Sequence, residues 1–454
     1  MIKKTIPDQP VSQLWNISFG FFGVQIAYAL QNANISRIFA TLGADPHNLS
    51  YFWLLPPLLG IVVQPIIGVL SDRTWCRWGR RIPYLFIGAL VAILVMCMLP
   101  NAGSLSLTVG AAMIFGLVSL MLLDASINVA MQPFKMMVGD MVNEKQKGLA
   151  YSIQSFLCNA GSLVGYLFPF IFAFIGINNT AQAGVVPDSV IYSFYVGAAI
   201  LILCVVYTVT KVKEIPPKEY GEYHGISEEK AGEKTNIFKL LVKAPSVFWT
   251  VGLVQLFCWA AFLFMWTYTN GTLAAGTFHA PTLLTEAGKV VLDTTSPAYQ
   301  EAGNWVGIVF AVQAIGSVLW SMMIPRFKSR RFVYALSLVL GAIGFISLYF
   351  IHDPYFIFVS FLLIGCAWAA MLALPFTLLT NALTGGHMGT YLGLFNSTIC
   401  IPQLIGASLG GVILSSFTQP GELAPEVNMM VLAGIFLLIG AGCVYLIKEK
   451  TQNA

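Results

Sequence analysis

Apolar stretches about twenty residues long, separated by short polar segments, recur along the whole chain, and a helix of that length matches the hydrocarbon thickness of a bilayer. The pattern predicts twelve membrane-spanning helices, at 15–41, 50–71, 82–100, 105–138, 149–176, 190–211, 246–270, 304–325, 332–351, 354–383, 389–416 and 427–447. The first stretch follows Lys3 and Lys4, exceeds the apolar core of a signal peptide and has no small-residue cleavage site after it. It is therefore read as a helix that stays.

Polar residues are unevenly shared among the predicted spans. The third, sixth, ninth and twelfth hold no Asp, Glu, Asn, Gln, Lys, Arg or His across 82–100, 190–210, 332–351 and 429–447, while every other span has at least one. Polar side chains inside a bilayer must face protein or water, so every third helix is expected to face lipid.

Composition supports a membrane protein: 57% of the 454 residues are hydrophobic and 10% are charged, where soluble domains carry about 25% charged residues. Charge then orients it. With the N-terminus placed in the cytoplasm, 21 of the 24 Lys and Arg residues fall in the tails and loops on that side. Outside there is Lys289 alone, and Arg37 and Lys135 lie within spans. Both termini are thus read as cytoplasmic, in a multi-pass protein of the cell membrane, or of the inner membrane if the source is Gram-negative. The net charge of +4 is this topological bias, with no nucleic-acid partner implied. Of the eight cysteines only Cys76 lies outside a span, and the five histidines are scattered over loops. No disulfide framework, metal site or cofactor is expected.

Six spans, a charged link and six more spans divide the chain into an N-terminal six-helix bundle at 1–210, a cytoplasmic linker at 211–243 and a C-terminal six-helix bundle at 244–454. The linker "KVKEIPPKEYGEYHGISEEKAGEKTNIFKLLVK" is polar and of mixed sign, and reads as a tether. A weak internal repeat accompanies this division. "PFKMMVGD" at 133–140 and "PFTLLTNA" at 375–382 share Pro-Phe at an offset of 242, where Ser155 also matches Ser397 and Gln154 stands against Asn396.

The fourth span carries the chain's most conspicuous chemistry, "LLDASINVAMQPFK" at 122–135. At ~100° per residue Asn128 and Lys135 share a helix face with Asp124, and Lys135 lies ~16 Å nearer the cytoplasm. An acid at mid-bilayer costs ~2.5–3.5 kcal/mol on insertion scales. Desolvation favours a protonated carboxyl and a nearby cation favours the carboxylate, so a conformational change that alters either would load and release a proton. A structural hydrogen bond made by a permanently protonated Asp124 is the competing reading, and for Lys135 it is a side chain reaching the cytoplasmic interface. Pro133, between them, removes a helix hydrogen bond.

A second signal, "GVLSDRTWCRWGRRIPY" at 68–84, resembles the cytoplasmic loop motif of the major facilitator superfamily. There Gly68 would permit close helix approach, Asp72 would cap a helix N-terminus, and Arg80 and Arg81 would bridge to Asp140, closing a cytoplasmic gate. Positive-inside anchoring alone is the plainer alternative. The period of three helices fits the nested repeats of that superfamily. Together they imply an all-α membrane protein of twelve helices in two six-helix halves, the major facilitator fold.

The stretches "YALQNANISRIFATLGA", "YFWLLPPLLGIVVQPIIGVLSDRTWCRWGRRIPY", "LDASINVAMQPFKMMVGDM" and "GLFNSTICIPQ" are similar to plant sucrose–proton symporters and their bacterial maltose and sucrose transporter relatives, in the glycoside–pentoside–hexuronide:cation symporter group. The resemblance implies a proton site at Asp124 and a basic partner eleven positions later. That partner is usually arginine and is here Lys135, which lacks the guanidinium fork.

The implied activity is uptake of an α-glucosidic disaccharide with a proton, by a monomer in the lipid bilayer, without enzymatic chemistry. Sugar recognition asks for amides and aromatic faces. Candidates are Gln31, Asn34, Arg37, Asn128, Gln154, Asn159, Trp259, Trp266, Tyr268, Gln313, Asn396 and Gln403. Interhelical hydrogen bonds are the alternative for each amide. Interface anchoring is the alternative for Trp266, and snorkelling for Arg37 near the outer end of its span. A proton-antiporting exporter of an apolar compound and a sodium-coupled glycoside symporter remain as other functions. The absence of a mid-span acid from the C-terminal half favours protons over sodium.

Overall fold

The computed structural model describes residues 6–105, 108–143, 145–216, 219, 223, 244–285, 288–382 and 394–448, with the side chains of 69, 72, 73, 147, 148, 152, 376 and 380–382 excepted. Most of the 211–243 linker therefore lies outside the described residues. The architecture is all-helical, with one antiparallel hairpin of three-residue strands, β1 (Thr282–Leu284) and β2 (Val290–Leu292).

The helices run α1 (Val11–Thr41), α2 (Pro46–Phe52), α3 (Leu55–Arg73), α4 (Ile82–Met98), α5 (Val109–Met141), α6 (Lys147–Phe174), α7 (Asp188–Lys211), α8 (Ser246–Gly276), α9 (Pro297–Met323), α10 (Arg330–Ser347), α11 (Ile357–Ala382), α12 (Ser397–Phe417) and α13 (Glu426–Val444). With the short α2 set aside, these are twelve long helices, one for each predicted span. Eleven segments among the described residues are long and apolar enough to cross a membrane. Helix α1 is not one of them, because Gln25, Gln31, Asn32, Asn34 and Arg37 interrupt it; all five side chains are buried.

Boundaries moved where local chemistry overrides the apolar run. The second span is broken: α2 is capped by Asp45, whose side chain accepts from the His47 amide. It ends before α3, where Pro56 and Pro57 fit the first turn, having no amide hydrogens to satisfy. Helix α9 begins at Pro297 rather than 304, because Ser296 caps it by accepting from the Tyr299 amide. The segment between the predicted spans 246–270 and 304–325 is thus the end of α8, the hairpin and the start of α9.

Two compact units emerge. Unit 1 comprises 1–32, 59–177 and 188–235, and unit 2 comprises 33–58, 178–187 and 236–454. Within unit 1, α4 packs on α5 and α7, and α6 packs on α7. At Gly165 a Cβ would come within 2.8 Å of the Ile26 carbonyl oxygen on α1, so the glycine permits that close approach. Within unit 2, α8 packs on α13 and α12, and α11 packs on α9 and α10.

Helices α4, α7, α10 and α13, the spans without polar residues that are expected to face lipid, each expose apolar side chains, such as Leu94, Leu203, Ile343 and Leu438. Helices α3, α6, α9 and α12 are less buried still, but they carry polar residues, and exposure alone does not distinguish a face toward lipid from one that lines a water-filled cleft.

Candidate functional site

Helix α5 starts at its Thr108 cap, whose hydroxyl accepts from the Ala111 amide, and places Asp124 near its middle. The Asp124 side chain is 0% exposed. One turn on, Asn128 donates its amide to Asp124 Oδ2 and to the Asp124 carbonyl, both at 2.9 Å. Gln31 of α1 donates to Oδ1 at 3.1 Å. Gln64 of α3 donates to Asn128 Oδ1 at 2.7 Å. Three helices of unit 1 thus feed one carboxyl through neutral amides. Gln31 Oε1 is buried without a partner.

Lys135 takes no part in this arrangement. It is exposed and lies ~16 Å along α5 by helical rise. The structure brings Asp124 together with Gln31 and Asn128, and not with Lys135.

The other candidates divide by environment. Gln154 is buried and donates to the Phe134 carbonyl at 2.9 Å, next to Pro133. Asn159 and Gln403 are part-exposed, and each amide donates to a carbonyl one turn back, of Ser155 at 2.8 Å and Ile399 at 3.2 Å. Asn396, also part-exposed, meets Cys400 Sγ at 3.8 Å. Asn34 and Gln313 are buried.

Trp259 and Trp266, both buried, flank Trp368, with ring centroids 5.7 and 5.9 Å from it, and Trp266 stacks on Trp53 at 5.9 Å. Trp266 is therefore part of an aromatic cluster inside unit 2, not an interface anchor. Trp368 was missed by sequence reading, since a tryptophan in an apolar run carries no periodic signal.

Arg37 is 0% exposed and does not snorkel. Its Nε and Nη2 both donate to Gln300 Oε1, at 2.9 and 2.7 Å, Nη1 donates to Asn304 Oδ1 at 2.7 Å, and Nη2 also donates to Asn179 Oδ1 at 3.2 Å. The C-terminal half has no mid-span acid among the candidates, but Glu426, in the first turn of α13 and one residue before the predicted span, is a buried acid that the sequence reading did not single out.

At the cytoplasmic loop, Arg80 and Arg81 pair with Asp140 at 2.7 and 3.1 Å, and Arg81 also donates to the Ser71 hydroxyl. Among the described residues nothing lies within 4 Å of where a Gly68 Cβ would be, so no close helix approach is found there, and its carbonyl accepts from Ser71. The Asp72 side chain lies outside the described residues. The carboxylate that caps α4 is Glu214, three residues past α7. It accepts from the amides of Arg81 and Ile82, both at 2.8 Å, and of Arg80 at 3.1 Å, where the N-terminal end of a helix favours an anion. The whole cluster lies inside unit 1.

Twelve long helices with a buried carboxyl and buried amides define a membrane transporter rather than an enzyme. The chain belongs to the major facilitator superfamily, whose family model matches residues 17–292 and 289–454. It is related to sucrose transport protein SUT5 of Oryza sativa subsp. indica, with 24% identity over 450 residues that cover 87% of this chain and 81% of that protein. The general alpha-glucoside permease of Schizosaccharomyces pombe is 28% identical over 298 residues, 62% of this chain and 51% of that protein. The solved structure of a D-xylose–proton symporter superposes with a TM-score of 0.69 at 14% identity, covering 98% of this chain and 99% of that one. At that identity the likeness speaks for the fold alone.

Proposed function

We propose that this transporter is a proton-coupled symporter that takes up an α-glucosidic disaccharide, such as maltose or sucrose, by alternating access of its six-helix halves at 1–210 and 244–454. The observation that carries the reading is Asp124: a fully buried mid-helix carboxyl whose hydrogen bonds come from the neutral amides of Gln31 and Asn128. Neutral donors steady the carboxylate without cancelling its charge, so uptake and release of a proton change the net charge of the site. A salt-bridged acid would resist that change. Water reaching the site in one conformation favours release, and its exclusion in the other favours the protonated form.

The relatives' names support the sugar. Part-exposed Asn159, Asn396 and Gln403 are the amides best placed to meet hydroxyl pairs, and the tryptophans around Trp368 supply aromatic surface. Lys135 acts, on this reading, at the cytoplasmic mouth of the proton path. Arg80, Arg81 and Asp140 stiffen the cytoplasmic end of the N-terminal half so that it moves as one body.

The test is Asp124→Asn in vesicles with an imposed pH gradient and labelled maltose or sucrose. Accumulation against the gradient is expected to vanish while sugar exchange persists. Undiminished uphill accumulation would sink the assignment. A sodium gradient that drives uptake as well as a proton gradient does would replace the proton as the coupling ion.

A further inference from the structure

Glu426 takes no part in the proton and sugar reading, and its surroundings are unusual. It is 6% exposed, in the first turn of α13, and its carboxyl group lies directly over Gly271 of α8, in the space a Cβ would fill. Its Oε2 is buried without a hydrogen-bond partner, and among the described residues it has no ion pair. The buried cation of the same unit, Arg37, gives its donors to Gln300, Asn304 and Asn179 instead.

Glu426 lines a cavity of about 390 Å³ at the ends of α8, α10 and α13 that the charge bias assigns to the outside. Thr272 lines the same cavity, and its hydroxyl is also buried without a partner. Two orphaned oxygens on residues that line one cavity call for a ligand bearing several donors, and an uncompensated carboxylate calls for a positive one.

The remaining walls narrow the class. Most of them, such as Leu273, Leu348, Ile351, Ile357 and Leu423, are apolar, with Thr277 and Tyr349 among the polar exceptions, too poor in oxygen for the six or so ligands a hard metal cation takes. The volume suits an organic group. His352, at the rim, is an exposed donor with its ring near Gly276. Tyr349 is shared with a second cavity of about 370 Å³, whose lining is apolar apart from Asn428: Ile346, Phe350, Phe417, Val431, Leu432 and Ile435. That second cavity follows the faces of α10 and α13 into the apolar part of the spans, so a charged head and an apolar tail have adjoining places.

We propose that the Glu426 cavity binds the primary ammonium headgroup of an outer-leaflet aminophospholipid, whose acyl chain lies in the adjoining apolar groove. The ammonium donates to Glu426 Oε2 and Thr272 Oγ1, the phosphate accepts from His352 at the rim, and Phe350, Phe417 and Leu432 flank the chain. A choline headgroup carries the same charge with no N–H to give, so it leaves both oxygens unsatisfied. The site discriminates on hydrogen-bond donors rather than on charge alone.

The full-length protein is purified from an equimolar mixture of phosphatidylethanolamine, phosphatidylcholine and phosphatidylglycerol, and the retained lipids are counted by native mass spectrometry. Retained ethanolamine lipid is expected to exceed the bulk ratio in the wild type. Glu426→Gln and Thr272→Val, both close in shape to the originals, are each expected to lower it toward the bulk ratio, Glu426→Gln the more. Unfolding midpoints measured alongside separate a lost site from a lost fold. Equal retention of the choline and ethanolamine lipids, or an undiminished preference in a folded Glu426→Gln protein, would overturn the proposal. Free ethanolamine added to delipidated protein distinguishes the source. No saturable stabilisation is expected, and saturation would assign the cavity to a soluble amine and overturn the lipid.

Discussion

Asn128 holds Asp124 from both sides of its own residue: one amide nitrogen donates to the carboxyl Oδ2 and to the main-chain carbonyl, each at 2.9 Å. The side chain is thereby fixed in one orientation, with Gln64 in turn fixing Asn128. Asn128→Leu removes a hydrogen bond to a charged group, ~1.5–3 kcal/mol. The step that needs ionised Asp124 should slow about tenfold to a hundredfold. Gln64→Leu, one link further out, should cost less. Initial rates of pH-driven uptake in both variants, with protein amount normalised, check the order. Equal losses would show that Gln64 acts on the site by another route.

The cap on α4 comes from Glu214, and Asp140 holds the guanidinium of the buried Arg81. Asp140→Asn leaves Arg81 without its carboxylate, a loss of ~3–5 kcal/mol for a broken buried pair. Glu214→Ala removes a cap, with ~0.5–2 kcal/mol expected. Thermal unfolding in detergent should therefore rank wild type above Glu214→Ala and that above Asp140→Asn. A reversed order would mean that the ion pair is dispensable and the cap is what orders the loop.

How much of this was legible beforehand depended on the range of the interaction. The twelve long helices were, because bilayer thickness sets the length of an apolar run. Asp124 with Asn128 was also legible, since a spacing of four puts them on one helix face. Gln31 donating to Asp124 across 93 positions, and Arg37 reaching Gln300 across 263, were not, because each polar residue had many partners of the right chemistry on other spans. Glu214 hid in a linker that reads as a tether by composition. Glu426 hid at the edge of an apolar run, where an acid looks like an ordinary helix start.

Arg37 depends on its planar fork. Three of its nitrogens meet three amide oxygens, on Gln300, Asn304 and Asn179. Arg37→Lys keeps the charge, but a single ammonium at the end of a flexible stem cannot reproduce those directions. At least one buried acceptor should be orphaned, at about 1–3 kcal/mol. The lysine variant is expected to lose unfolding midpoint and transport rate nearly as much as Arg37→Met. A lysine protein equal to the wild type would show that charge alone matters at this position.

Outside the spans, Asp45 joins α2 to the β1–β2 hairpin. Burial pushes its carboxyl up, but the hydrogen bond from Lys289 at 2.6 Å and those from His47 outweigh this and hold it below the usual carboxylate range. A carboxylate depressed on folding adds stability above its unfolded value, and that contribution fades as pH falls through the folded one. Lys289 is 61% exposed, so the link is worth no more than ~1 kcal/mol. Lys289→Ala should lower the unfolding midpoint slightly at neutral pH, and the difference from wild type should close on acidification below the ordinary range for aspartate. A difference that persists in acid would assign the effect to packing of the lysine stem.

On the proposed function, the amides separate into those that hold the protein and those that would meet a sugar. Gln154 is buried and spends its nitrogen on the Phe134 carbonyl, next to Pro133 inside α5. Gln154→Leu removes a buried hydrogen bond between α6 and α5, so its cost should fall on stability, by about 0.5–1.5 kcal/mol, with sugar affinity little changed in the protein that folds. Asn159 and Gln403 bond back to their own helices, which fixes the amide plane and leaves each carbonyl oxygen available at a part-exposed position. Removing either should spare the unfolding midpoint. If the amide meets a hydroxyl, the loss should appear as about a tenfold rise in the apparent KM for sugar, read from uptake at a series of sugar concentrations in the same vesicles. Should Gln154→Leu raise KM while Asn159→Leu and Gln403→Leu leave it alone, the sugar would lie along the buried face of α6 that meets α5 beside Pro133, and the part-exposed amides would have no share in it.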